Sequence, residues 1–428
     1  MFYSLKNIQE KSNFKEAIFN SLASDGGLYF PERINKLHLD FLYNISNYSK
    51  YEIGYEIMKN FVDNSMNSSD LFDIIKKTIN FDFKLIEVEK NIFSFELFHG
   101  PTLAFKDVGA NFLANCLEYY STEKKLNILV ATSGDTGAAV ANSFYNKRNI
   151  NVYVLFPKNK ISEYQERQIT CKGDNIYAIE IQGNFDDCQS LVKRAFKDKN
   201  LRKQINISSA NSINIGRWLP QSIYYFILFK ELSKININHK INISVPSGNF
   251  GNICAGLIAM KMGLNINNFI AATNINDTIP RYLKTGKYSP GKTIRTISNA
   301  MDVSDPNNFP RIEHIFDNNF QKLKNKIRAE KVNEDETKNQ IKKTYYESKY
   351  VLDPHGAVGL VGLRRYNSKN ETGIFLETAH PVKFKDSITK IIDVKIDDPL
   401  QQINEIDTHK ISLKKNYSDF IEFIKQSQ

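Results

Sequence analysis

One lysine, two glycine-rich turns and an arginine are the parts of this sequence from which a reaction could be built. Lys106 stands in His99-Gly100-Pro101-Thr102-Leu103-Ala104-Phe105-Lys106-Asp107-Val108-Gly109, which opens with turn residues, crosses a short apolar run and reaches a helix start. Val108, Phe112, Leu113, Leu117 and Tyr120 recur behind it at helical spacing, so that helix has an apolar face. A helix N-terminus carries positive partial charge and disfavours a cation, which lowers an amine's pKa. Such an amine suits a lysine that acts first as nucleophile and then as base. An isolated lysine at a helix start is ordinarily a surface residue; the company Lys106 keeps makes it a candidate.

Ala131-Thr132-Ser133-Gly134-Asp135-Thr136-Gly137 lies between the end of a predicted strand and a helix. Its glycines let the backbone approach a ligand, and the free N–H groups of the helix start face it. Pro246-Ser247-Gly248-Asn249-Phe250-Gly251-Asn252 occupies the same kind of place and makes a sharper signal. Successive N–H groups there form an anion-binding concavity. It is neither a Walker A loop nor a dinucleotide fingerprint, because the lysine and the third glycine are missing. Asn211-Ser212-Ile213-Asn214-Ile215-Gly216-Arg217 follows another strand and offers a guanidinium fork for a second phosphate or a carboxylate. Glu377-Thr378-Ala379-His380-Pro381 puts a hydroxyl at the end of the last strand, while Asp353-Pro354-His355-Gly356 reads first as a helix cap, with His355 a secondary candidate.

The elements that must position these residues alternate. Strands are expected at residues 126–130, 150–156, 176–181, 205–208, 241–245, 269–273 and 374–376, with helices at 186–196, 218–232 and 253–262. Strands alternating with helices of this length argue for an α/β protein with a largely parallel sheet. Apart from Lys106 and Asp353, the candidate motifs fall just past the carboxyl ends of strands, where ligands bind in open α/β sheets. Two anion cradles and a reactive lysine point to a phosphorylated aldehyde cofactor held as a Schiff base beside an anionic substrate. Residues 1–92 read as a mainly helical N-terminal subdomain (helices near 14–22, 51–62 and 69–79), and 93–428 as a catalytic region of two sub-lobes. Residues 307–336 read as polar helical surface with loops.

Composition narrows the function classes. With 41% hydrophobic and 24% charged residues the chain is an ordinary globular protein rather than a disordered or fibrous one. It has no apolar run long enough to span a bilayer and no secretory leader pattern, so a cytoplasmic protein without membrane contact is expected. Cys116, Cys171, Cys188 and Cys254 are far apart, which gives no basis for a metal site or a disulfide framework. The net charge of +10 is spread over scattered pairs such as Lys76-Lys77 and Arg364-Arg365, not clustered as nucleic-acid binding requires.

These motifs, in this order over most of the chain, resemble the threonine synthases, pyridoxal-phosphate enzymes of fold type II (the tryptophan-synthase-β class). The resemblance rests on residues 25–31, 99–107, 131–137, 211–217, 246–252, 353–359 and 377–381. It implies that Lys106 holds the cofactor, that Gly248, Asn249, Phe250, Gly251 and Asn252 cradle its phosphate, and that Thr378 bonds the ring nitrogen. Asp135 would lie near the ring hydroxyl, where relatives often carry asparagine. Ser133 and Thr136 would help bind the substrate, and Asn211, Ser212 and Arg217 its phosphate. The implied reaction turns O-phospho-L-homoserine and water into L-threonine and phosphate, by a monomer or homodimer. The rival expectations are a serine or threonine dehydratase on the same scaffold and a ligand-sensing relative without activity.

Overall fold

A computed structural model describes residues 1–121, 124–235 and 239–427. Two sheets dominate it. One runs, edge to edge, Ile411–Lys414, Ile176–Gln182, Ile150–Pro157, Leu126–Ala131 and Asn206–Ser209, all parallel. The other runs Ile327–Lys331, Asn268–Thr273, Lys240–Pro246, Glu371–Glu377, Ile92–Glu96 and Lys84–Glu89, parallel except for the last strand. Leu126–Ala131 and Ile150–Pro157 are buried along their whole length, as expected of central parallel strands covered by helices on both faces. The alternation expected from the sequence is therefore present, divided between two sheets. No described helix is long and apolar enough to cross a membrane.

The N-terminal part is less purely helical than its sequence implies. Phe2–Ser4 pairs with Lys11–Ser12 and Tyr29–Pro31 in a small antiparallel sheet. The helices Phe14–Asn20, Lys50–Met58 and Ser68–Thr78 start at the side-chain caps Asn13, Ser49 and Asn67. Their apolar faces belong to the same core as the catalytic region; the Phe14 and Phe112 rings, for example, lie 6.2 Å apart. The expected boundary at residue 92 falls within a hairpin, because Lys84–Glu89 pairs antiparallel with Ile92–Glu96.

Three local differences have simple causes. The helix expected over 218–232 is broken into Ile215–Trp218, a 3₁₀ turn Leu219–Gln221 and Ser222–Leu232; Pro220 supplies no N–H for a continuous ladder. Ile327–Lys331 is a strand inside the region read as helices and loops. It is a half-exposed sheet edge, so its sequence, Ile-Arg-Ala-Glu-Lys, lacks an apolar run. Ile411–Lys414, one residue shorter and also half-exposed, completes the five-stranded sheet, and the helix Tyr417–Gln426 packs behind it.

The helix Lys106–Tyr119 is the pivot. It is buried on almost every side, from Asp107 to Leu117. Its Gly109 lies against the backbone of Arg217, so a Cβ there would sit 2.1 Å from the Arg217 carbonyl oxygen. Only a residue without a side chain allows the two candidate motifs this approach. Gly109→Ala should cost about 1–3 kcal/mol of stability through overpacking. Urea unfolding of the variant checks this, and an unchanged midpoint would contradict the close contact.

Candidate active site

A cavity of about 520 Å³ opens where the two sheets meet, and it is lined by every residue singled out above: Lys106, Ser133, Asp135, Thr136, Asn211, Ser212, Arg217, Gly248, Asn249, Phe250, Gly251, Asn252 and Thr378. His355 lines it as well. The exposed cations Lys6, Lys193, Lys197, Lys199 and Arg202 contribute to its outer wall.

Lys106 is held from both sides. The loop ahead of it forms an antiparallel bridge, Ala104 to Ala379, with the segment that leaves strand Glu371–Glu377. Phe105 N–H donates to Thr378 O (2.9 Å) and His380 N–H to Leu103 O (3.0 Å). Asp107, the next residue, turns back to accept from Thr102 N–H (2.9 Å) and from the Thr102 hydroxyl (2.5 Å). The lysine and the Thr378 hydroxyl thus enter the cavity from one stitched backbone unit.

The electrostatics centre on Asp135, the first residue of helix Asp135–Phe144. Its Oδ2 lies 3.6 Å from Lys106 Nζ and its Oδ1 2.9 Å from Lys383 Nζ. The Gln165 side-chain amide also donates to Oδ1 (2.9 Å). Burial works against the Asp135 charge, but Lys383, Lys106 and His355 outweigh it and hold the carboxyl well below its usual range. Lys106 is shifted down, first by burial and then by Lys383 and Arg217, with Asp135 opposing. The sequence reading placed the cause at the helix terminus; the structure assigns it to desolvation and neighbouring cations. His355 Nδ1 is 2.5 Å from Asp353 Oδ1, and its Nε2 faces the Ala300 N–H at 3.3 Å. The cap role of Asp353 is present too, through the backbone N–H groups of His355 and Gly356.

Two candidate anion sites are built differently. In the first, Phe250 adopts a left-handed conformation (φ 61°) that aims the start of helix Gly251–Lys261 into the cavity. Gly248 touches the backbone of Ala300 and Met301, where a Cβ would sit 2.9 Å from each. The Asn252 side-chain oxygen accepts from Tyr225 (2.7 Å), leaving its buried Nδ2 without a partner. In the second, Arg217 is 3% exposed, donates to the Ala210 carbonyl, and keeps its buried Nε unpartnered. Burial lowers the pKa of Arg217 to about 10, with Asp107 opposing, so it remains a cation. Ser212 accepts from the Asn308 side-chain amide (3.1 Å). Asn211 bonds the end of strand Leu126–Ala131 instead: its amide donates to Ala131 O (2.9 Å) and its oxygen accepts from Ala131 N–H (3.3 Å).

The chain matches three family models: "Pyridoxal-phosphate dependent enzyme" over residues 86–374, "Threonine synthase N terminus" over 1–79 and "Threonine synthase, C-terminal" over 356–424. It is 44% identical to the threonine synthase of Buchnera aphidicola subsp. Baizongia pistaciae, with 99% of each chain covered. It superposes on the crystal structure of threonine synthase from Escherichia coli with a TM-score of 0.94 at 38% identity, with 100% of both chains covered. This chain belongs to the threonine synthase family. A PLP-bound threonine synthase from Brucella melitensis is similar over 99% of this chain and 98% of that one (TM-score 0.92, 30% identity). The family carries fold type II, and the enzyme is pyridoxal-phosphate dependent. The cavity fits such a group: an orphaned amide at Asn252 and a helix N-terminus await an anion, with a buried amine in the same cavity.

Sequence reasoning missed three contributors. Lys383 is buried and paired with Asp135; its only signal was a lysine between the apolar neighbours Val382 and Phe384. Gln165 reaches Asp135 from a separate helix, Glu163–Thr170, that carried no motif. Lys6 and Ser24 line the cavity from the N-terminal part, beside Asp25 and Gly26 of the stretch 25–31 on which the resemblance rests.

Burial dominates Asp107 and raises its pKa to about 6, against the opposing bonds from Thr102. A carboxyl whose folded pKa is raised contributes stability at low pH and loses it as pH rises through the folded value. Asp107→Asn should therefore gain stability relative to wild type as pH climbs from about 4 to about 7. Denaturant titrations across that window check the sign; a difference independent of pH would contradict it.

Proposed function

We propose that this chain converts O-phospho-L-homoserine and water into L-threonine and inorganic phosphate, with pyridoxal phosphate on Lys106. The observation that carries this reading is Arg217, a buried guanidinium without an ion-pair partner among the described residues, opening onto the same cavity as the Lys106 amine. A dehydratase acting on serine or threonine has no phosphate to place there. A ligand sensor would not require a shielded amine with a lowered pKa.

Bound pyridoxal phosphate supplies an electron sink that acidifies the carbon beside the substrate's amino group. The protein does the rest. Gly248, Phe250, Gly251 and Asn252 hold the cofactor phosphate through the helix start and the Asn252 amide, while Asn249 shapes that loop by accepting from the Asn307 amide (3.0 Å). Thr378 offers the ring nitrogen a hydroxyl instead of a carboxylate, which leaves that nitrogen largely unprotonated. Ser133 and Thr136 hold the substrate's amino-acid end. Arg217 and Ser212 hold its phosphate, with Asn211 keeping the strand end in place. Lys106 Nζ takes the α-proton and moves protons along the substrate carbons, a role open to an amine whose resting form is not locked as an ammonium. Phosphate retained at Arg217 after bond cleavage lies ready to accept a proton from the incoming water.

Steady-state assays should show phosphate release from O-phospho-L-homoserine, and no keto acid from threonine at a comparable rate. Arg217→Gln removes charge-assisted hydrogen bonds worth about 1.5–3 kcal/mol each, so kcat/KM should fall roughly 10- to 150-fold. Lys106→Ala should abolish the cofactor that borohydride fixes to the chain, as read by mass spectrometry. Undiminished fixation in that variant would move the reactive amine elsewhere.

A further inference from the structure

Lys383 does not line the cavity, yet it is a fully buried charge beside it. It belongs to the 3₁₀ turn Pro381–Phe384, just past Thr378, and its side chain is fully buried. Its ammonium is held in two directions, 2.9 Å from Asp135 Oδ1 and 2.8 Å from the Thr102 carbonyl oxygen. Asp135 therefore stands between two lysines, with Lys106 at 3.6 Å on its other oxygen. One carboxylate cannot neutralise both. The closer, fully buried partner with a second fixed acceptor is Lys383.

We propose that Lys383 is a positioning residue: by permanently occupying Asp135, it leaves the Lys106 amine free to give up its proton. Asp135 alone beside Lys106 would do the opposite, because an opposite charge within about 4–6 Å raises an amine's pKa by about 1–3 units. That would lock the nucleophile as an ammonium. The pair Asp135–Lys383 is neutral as a unit and still keeps a carboxylate at the cavity wall. The Gln165 amide on Asp135 Oδ1 fixes it in that orientation. The other charged groups near Lys106 act in the same sense or at longer range: Arg217 also disfavours its charge, Asp107 faces Arg217, and His355 faces Asp135.

The proposal rests on Lys106 carrying the cofactor, and the test separates the two claims. Full-length protein stripped of cofactor is mixed with pyridoxal phosphate over a range of pH, and uptake is followed by absorbance. Uptake by wild type and its loss in Lys106→Ala establish the underlying reading. The pH midpoint of the uptake rate tests the role of Lys383. In Lys383→Gln the midpoint should rise by about one unit or more, because Asp135 then turns its whole charge on Lys106. In Asp135→Asn it should fall, since only cations remain around the amine. The double variant Asp135→Asn, Lys383→Gln should return toward wild type, a reversal that a merely structural role would not produce. Asp135→Asn keeps the shape of the side chain and carries the test by itself if Lys383→Gln does not fold. A midpoint unmoved in Lys383→Gln, or raised in Asp135→Asn, overturns the proposal while leaving the cofactor lysine in place.

Discussion

The arrangement depends on a short piece of antiparallel pairing outside either large sheet. Ala104 bridges Ala379, and the flanking hydrogen bonds lock residues 103–105 to residues 378–380. Through this bridge the loop of Lys106 becomes an extension of strand Glu371–Glu377, the third strand counted from the hairpin edge Lys84–Glu89. The lysine thereby takes its position from one sheet, while its carboxylate neighbour Asp135 comes from the end of a strand in the other. Any relative movement of the sheets changes the 3.6 Å separation between the two groups. Without the bridge, the loop ahead of Lys106 would keep the Asp107–Thr102 pair and the bonds that Thr102 O accepts from Lys383 (2.8 Å) and Gln168 (3.1 Å), but no tie to strand Glu371–Glu377 itself.

Charge, not shape, is the unusual feature of the cavity. Lys383 and Arg217 are withdrawn from water, and Lys106 largely so, around one strongly ionised carboxylate, Asp135. Buried ions are costly unless paired or bonded. Lys383 is satisfied by Asp135 and Thr102, but among the described residues Arg217 donates only to carbonyl oxygen, and the Asn252 side-chain N–H groups find no partner. Arg311 shows that a buried guanidinium can be satisfied structurally: it donates to Tyr29 O, Ser212 O and Ile213 O and lies 5.0 Å over the Trp218 ring. Among the described residues Arg217 has no comparable set of partners, and that incomplete bonding is what supports the ligand-binding role proposed for it.

Much of this was legible in the sequence because the informative residues do local work. The turn at Pro246–Asn252 and the turn at Ala131–Gly137 advertise strand ends by their glycines, and the strands behind them are continuous apolar runs. The fold class and the residues around the cavity followed from those signals. What stayed hidden depends on distant partners. Lys383 looks like any lysine until the Asp135 carboxylate, far away in sequence, is brought to it. The strand Ile327–Lys331 has no apolar run because one of its sides is an edge. The weight of desolvation on the Lys106 pKa stayed hidden for the same reason: the helix start is local and visible, whereas desolvation is a property of the assembled core.

The strand Ile411–Lys414 has a consequence for how the molecule is made. It covers the outer side of Ile176–Gln182 and brings the helix Tyr417–Gln426 onto the same layer, where Ser427 bonds Tyr153. On the ribosome, the Ile176–Gln182 border is synthesised long before its cover, with four strands of the six-stranded sheet translated in between. A nascent chain therefore presents an open, pairable border during most of its elongation, the kind of surface that invites association between neighbouring chains. Completion of that lobe is therefore a late event in biogenesis.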